Sequence, residues 1–227
     1  MKKIISMLLI SAFTVLGLVG CAEVSSDKET VNTSTTEISV AETSGVTDEI
    51  ETSDIKDTVD ESSDKKMLVI YFSATGTTKG IAEKIASVTG ADLYEIKPKE
   101  PYTDEDLNYN DDGSRATKEQ NNKDVRPEYE DIELDIENDY STIFLGYPIW
   151  WGEEPRIIDT FVESYNFDGK TIIPFCTSGS SSIEKSSSNI SEKNGTGNWL
   201  SGNRFSGSAT DDEIKNWLTG LKLLAKD

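Results

Sequence analysis

Histidine is absent from all 227 residues of the chain. That absence removes Ser-His-Asp and Cys-His catalysis and every metal site that uses an imidazole. Cysteine is nearly as scarce. Cys21 and Cys176 are the only two, too few for a cysteine-rich zinc site or a disulfide framework. Basic residues are short against acidic ones, 22 Lys and Arg to 42 Asp and Glu, for a net charge of −20. A chain this negative is a poor partner for nucleic acid, where binding runs on Lys and Arg displacing counterions from phosphate. Long apolar runs are missing too, except at the extreme N-terminus.

That one run has a clear grammar. Lys2 and Lys3 precede an almost wholly apolar stretch from Ile4 to Val19, and Leu18-Val19-Gly20-Cys21 closes it. The stretch is short for a spanning helix and is placed as a signal peptide, residues 1–20. A small residue directly before Cys21 resembles the bacterial lipoprotein box. The resemblance implies that Cys21 is diacylated and becomes the mature N-terminus. Two or more acyl chains make a stable anchor where one would be marginal. The expected location is therefore extracytoplasmic, lipid-anchored to the bacterial cell membrane.

Residues 22–65 hold 13 acidic residues, three Lys and 16 Ser or Thr, and no aromatic residue. Such a segment cannot bury enough apolar area to offset chain entropy, and its like charges extend it. With Cys21 it reads as a disordered tether. Residues 66–227 carry every aromatic residue except Phe13, with 17 Lys and Arg against 29 Asp and Glu. A chain of this length buries one core. Its acidity favours a partner with a basic face.

Within that part, Met67–Phe72 is a continuous apolar run bounded by charge and by small polar residues, the mark of a strand buried on both faces. Helical spacing of Ile81, Ile85 and Val88 predicts a helix from about Thr78 to Thr89, stopped by Gly90. Asp92–Ile96, Thr142–Tyr147 and Thr171–Cys176 read as further strands, the last with an awkward internal Pro174. A fifth short strand is expected within Trp199–Phe205. Helices are expected over Pro155–Tyr165, Ser181–Ser191 and Asp211–Leu224. Residues 97–139 are polar and show no clear period, and read as an irregular insertion. This alternation predicts a doubly wound α/β sandwich of three layers around a five-stranded parallel sheet.

Such sheets bind ligands beyond the carboxyl ends of their strands. Three loops lie there. Ser73-Ala74-Thr75-Gly76-Thr77-Thr78 joins a strand to a helix N-terminus, where free N–H groups and hydroxyls suit an anion. It has neither the Gly-Lys-Ser/Thr ending of a P-loop nor the dinucleotide glycine pattern. Pro148-Ile149-Trp150-Trp151-Gly152 offers an aromatic face to a flat heterocycle, with one Trp able to pack inward and the other outward. Thr177-Ser178-Gly179 is small and polar, suited to the edge of a ring. Together the three describe a site for flavin mononucleotide (FMN).

Ser73-x-Thr75-Gly76-x-Thr78 after Val69-Ile70-Tyr71-Phe72 resembles the flavodoxin phosphate loop. Gly146 to Gly152 with Pro155, and Phe175 to Gly179, resemble the other two flavin loops of the flavodoxin-like family. Leu107-Asn108-Tyr109 and Arg126-Pro127 resemble the branch with a longer insertion. The resemblance implies noncovalent FMN, its phosphate in the Ser73–Thr78 loop, its ring flanked by Pro148, Ile149, Trp150, Trp151 and Gly152, and its pyrimidine edge at Thr177, Ser178 and Gly179. No catalytic side chain is implied, since the flavin carries the reactivity.

Two functions follow as expectations. One is an FMN-dependent redox protein, either a carrier serving a redox partner protein or a reductase of a small-molecule acceptor such as a quinone. The other is a non-enzymatic lipoprotein binding module that kept the fold and lost FMN. Glu153 and Glu154 follow the Trp pair and are expected to be partly exposed near the ring and to lower its potential. Cys176 reads as a small core residue, and Arg115, Arg126 and Arg204 as charges that brace loops.

Overall fold

The computed structural model describes residues 66–224. The signal peptide, Cys21 and the tether lie outside the described residues. Strand β1 (Lys66–Tyr71) leads into helix α1 (Thr77–Thr89) and strand β2 (Asp92–Glu95). Two short helices follow, α2 (Arg115–Asn121) and α3 (Ile136–Asp139), then β3 (Tyr140–Pro148) and α4 (Arg156–Glu163). The chain continues through β4 (Thr171–Thr177), α5 (Glu184–Asn194), β5 (Asn198–Trp199), β6 (Asn203–Phe205) and α6 (Asp211–Gly220). The sheet runs β2-β1-β3-β4-β5, with β6 also beside β4, and every pairing is parallel. The expected doubly wound sandwich is present, its fifth strand position filled by two short pieces.

Alternation along each strand explains the two apolar layers. Leu68, Ile70, Phe72, Ile143, Leu145, Tyr147 and Ile172 face one side, where α4 brings Ile157, Ile158, Phe161 and Val162. Val69, Tyr71, Phe144, Ile173 and Phe175 face the other, against Ile81 and Ile85 of α1 and Ile214 and Leu218 of α6. Successive side chains point to opposite faces, so a strand covered on both sides must be apolar throughout. Cys176 is fully buried in the first layer, as expected for a core residue.

Pro174 is accommodated by a gap. The carbonyl of Ile172 accepts from Leu200 N–H at 2.9 Å on the outer side of β4. Pro174, two residues on, turns its donor-less nitrogen to that same side. There the edge strand is interrupted between Trp199 and Asn203, so no ladder bond is lost.

Three expectations need correction. The insertion 97–139 is not simply irregular. It forms α2, α3 and an antiparallel bridge between Pro98 and Tyr129. Helix α2 has a Ser114 cap accepting from Thr117 N–H, but Ala116 is its sole aliphatic residue, so no periodic pattern marks it. Helix α5 runs later than expected, from Glu184 to Asn194, and α6 ends at Gly220 rather than Leu224.

Candidate functional site

All three candidate loops leave the carboxyl edge of the sheet, at the ends of β1, β3 and β4. Backbone bonds hold them side by side. Phe72 N–H donates to Gly146 O at 2.9 Å, Ile149 N–H to Thr177 O at 3.0 Å, and Ser178 N–H to Phe205 O at 3.2 Å. A buried bond of 2.7 Å between the hydroxyls of Thr78 and Thr177 ties the first loop to the third.

In the first loop, Gly76 occupies the N-cap of α1 with φ +82°, and no side chain caps the helix. The first N–H groups of a 13-residue helix are thus left for another partner. Thr75, Gly76 and Thr77 are exposed and Ala74 half-buried. The hydroxyl of Ser73 is buried and has no hydrogen-bond partner within the protein. An orphan hydroxyl beside an uncapped helix N-terminus matches an anion acceptor such as a phosphate.

In the second loop, Trp150 and Glu153 exchange backbone bonds of 2.9 and 3.0 Å around Trp151 (φ +49°) and Gly152 (φ +80°). Two successive positive φ values are the pattern of a type I′ turn, which glycine accepts freely and tryptophan does not. The turn separates the two indoles. Trp150 is 2 % exposed and packs edge-on against Phe72 and Tyr102. Trp151 is 44 % exposed. The open aromatic face at this loop therefore belongs to Trp151, and Trp150 supports it from within the core.

In the third loop, Thr177 is buried and Gly179 exposed. Ser178 donates its hydroxyl to Ser181 O at 2.7 Å, and Arg204 donates to Ser178 O at 3.0 Å. Arg204 braces the loop, as expected. Arg115 and Arg126 likewise serve other groups, pairing with Glu119 and Glu163 at 2.7 Å each.

Of Glu153 and Glu154, the first is partly exposed, as the sequence suggests, and the second is buried. They belong to an ion network beneath the Trp loop. Glu153 meets Arg156 at 2.7 Å and Lys185 at 2.8 Å. Those cations hold its carboxyl down to about 2. Glu154 is fully buried, 3.2 Å from Lys193, and accepts from Asn189 at 3.1 Å. Burial foremost, and then neighbouring Asp159, push it up to about 7. Glu153 is thus matched by local cations, while burial favours the neutral form of Glu154.

The sequence reading also missed what the insertion contributes. Gln120 donates its amide to Trp150 O at 3.0 Å and Glu154 O at 3.2 Å. Tyr102 packs on Trp150 and donates to Glu119 at 2.6 Å. Tyr109 lies against Trp151, ring centroids 4.7 Å apart. Aromatic residues in an otherwise polar stretch were the available signal.

A parallel α/β sheet that brings an uncapped helix N-terminus, an exposed indole and a polar loop to its carboxyl edge has the layout of a doubly wound fold, whose ligand crevice lies at that edge. Comparison with known families agrees. The model of the flavodoxin family matches residues 66–221. The chain belongs to the flavodoxin family. It is 42 % identical to a protein from Bacteroides eggerthii DSM 20697 assigned as a flavoprotein, covering 69 % of this chain and 98 % of that one, with a TM-score of 0.65. A similarly assigned protein from Bacteroides uniformis ATCC 8492 is also 42 % identical, over 68 % of this chain and 97 % of the other, with a TM-score of 0.64. A flavoprotein from Lactobacillus acidophilus NCFM, solved in complex with FMN, is 28 % identical over 67 % of this chain and 98 % of its own, with a TM-score of 0.51. A search of curated proteins gave no match.

Proposed function

We propose that the chain binds FMN without a covalent link and works as a redox protein, held by a lipid on Cys21 at the outer face of the bacterial cytoplasmic membrane. The observation that carries the cofactor is the orphan Ser73 hydroxyl beside the uncapped N-terminus of α1. A buried hydroxyl without a partner is costly, and a bound phosphate would satisfy it. Ser73, Thr75, Thr77 and the N–H groups of the loop would hold that phosphate. Trp151 would stack on the ring, and Ser178 and Gly179 would meet its polar edge. Bound FMN supplies one- or two-electron redox chemistry, and the protein supplies binding and surroundings.

The complex of the Lactobacillus acidophilus relative with FMN supports the same cofactor. Titrating the purified chain with FMN should quench flavin fluorescence and leave the protein yellow. Trp151→Ala should weaken binding by about 2- to 10-fold, the worth of one aromatic stack. Protein that stays colourless with excess FMN would overturn the reading and favour the alternative, a binding module without flavin.

Support for the anchor is the pattern from Lys2 to Cys21. Cys21→Ser should move the protein from the membrane fraction to the soluble one. Continued membrane retention of that variant would refute lipidation at this residue. The electron partner is either a redox protein or a small-molecule acceptor. The excess of acidic residues favours a basic face on a protein partner.

A further inference from the structure

Among the described residues, Glu154 and Asp159 are the only carboxylates with no exposure at all. They flank the same two cations. Lys193 Nζ is 3.2 Å from Glu154 and 3.3 Å from Asp159. Arg156 Nη1 is 3.8 Å from the first and 3.3 Å from the second. Two carboxylates that share both partners lie close enough to oppose each other's ionisation. Asp159 Oδ1 and Gln120 Oε1 are moreover buried acceptors without a hydrogen bond. A proton on one carboxyl would add a donor where acceptors are in excess.

The charges inside the cluster do not balance unless a proton is present. Glu153 joins it through Arg156, at 2.7 Å. Lys185 also meets Glu153, at 2.8 Å, but from a side chain 64 % exposed to water. Without that solvated ammonium, three carboxylates stand against two cations, and one proton makes the count even. The groups around the cluster leave this unchanged. Arg126, which senses Asp159, and Glu163, which senses Lys193, pair with each other at 2.7 Å. Tyr147 of β3 senses Glu154, and burial keeps its hydroxyl neutral. Asn189 of α5 donates to Glu154 at 3.1 Å and carries no charge. Burial and Asp159 accordingly raise the Glu154 carboxyl to about 7.

Helix α5 forms one wall of the cluster and is lightly held. Ile190 is the one apolar side chain among its 11 residues, and no side chain caps its N-terminus. Its four serines and two asparagines give it little intrinsic helicity. Asn189 and Lys193 seat it on Glu154. An element with few buried apolar contacts opens before the rest of a domain.

We infer that the Glu154–Asp159 pair is a proton site, occupied in the folded domain at neutral pH, and that losing this proton as pH rises loosens α5. A surplus buried charge is relieved by admitting water, and α5 is held to the cluster by polar bonds. The site needs no bound cofactor.

The absence of histidine makes the site testable, because few other groups titrate between about pH 5.5 and 8. In the unfolded chain Glu154 returns to its ordinary value of 4.5 and gives up the proton. The folded domain then binds more protons than the unfolded chain, so stability falls as pH rises from about 4.5 to about 7. Glu153 acts in the opposite direction and below this range, because its carboxyl is held low. Urea unfolding of the full chain, followed by tryptophan fluorescence, should show the folding constant dropping about 10- to 30-fold between about pH 5.5 and 8. Glu154→Gln, which keeps the size of the side chain, should flatten that slope, and Glu163→Gln should keep it. Unfolding the wild type in weak buffer at about pH 6 should release about one proton per chain, read with an indicator dye. Amide exchange, corrected for its intrinsic pH dependence, should show α5 opening more often than the whole domain unfolds, and about 10-fold more often at about pH 8 than at about pH 6. A wild type with neither slope nor proton release overturns the site, and so does a slope that survives in Glu154→Gln. An α5 that exchanges only when the whole domain unfolds overturns the loosening.

Discussion

Replacing Arg156 with methionine is expected to destabilise the domain by about 3–5 kcal/mol, the usual cost of removing one partner from a buried ion pair. The guanidinium is 1 % exposed and central to the network under the Trp loop. It reaches Glu153 at 2.7 Å, Asp159 at 3.3 Å and Glu154 at 3.8 Å, and donates to Gln120 O at 3.1 Å. Methionine fills much of the volume, so the loss is electrostatic rather than a cavity. Without Arg156, Glu153 keeps Lys185, but Glu154 and Asp159 are left to share Lys193. Neither of those two carboxylates is exposed to water. Urea unfolding followed by tryptophan fluorescence reads the change. A loss under about 1 kcal/mol would place the network in the class of solvated surface pairs. A double variant that also carries Asp159→Asn should recover part of the loss, because one of the carboxylates stranded by the loss of Arg156 is then gone.

The second large effect is on ligand binding and has an opposite sign in the free protein. Ser73→Ala should weaken FMN by about 10- to 100-fold, the worth of a hydrogen bond to a charged group at about 1.5–3 kcal/mol. It should leave riboflavin, which lacks the phosphate, almost unaffected. In the unliganded protein the same change removes a buried hydroxyl without a partner. Stability of the free form should therefore rise, by about 1 kcal/mol. Isothermal titration with FMN and riboflavin, paired with denaturation of both proteins, checks the two signs together. Equal weakening of FMN and riboflavin would move Ser73 away from the phosphate. A less stable free variant would show that water already satisfies the hydroxyl.

How far the sequence could be read differs from one region to the next. The central strands were legible because Val69, Ile70, Phe144 and Ile173 are apolar on both faces, a pattern that only a covered sheet requires. The three loops were legible because small polar residues and adjacent tryptophans directly follow those strands. Which indole faces outward was not, since it depends on the paired positive φ at Trp151 and Gly152. Nor was the destination of Glu153 and Glu154. Their cations come from α4 and α5, up to 39 residues away in the chain. Helix α2 escaped because tertiary bonds hold it, such as that from Gln120 to Trp150 O, rather than a hydrophobic stripe.

The interruption at Leu200–Gly202 has a consequence for behaviour among neighbours. An outer strand with a long row of free N–H and C=O groups is a template for strand addition by another copy. Here that row is cut into pieces of two and three residues. Pro174 behind the gap offers no N–H to an incoming chain. A lipid anchor of the kind proposed would hold many copies at high local density on one surface, where edge-to-edge pairing is most hazardous. The broken strand would let such a crowd remain separate molecules.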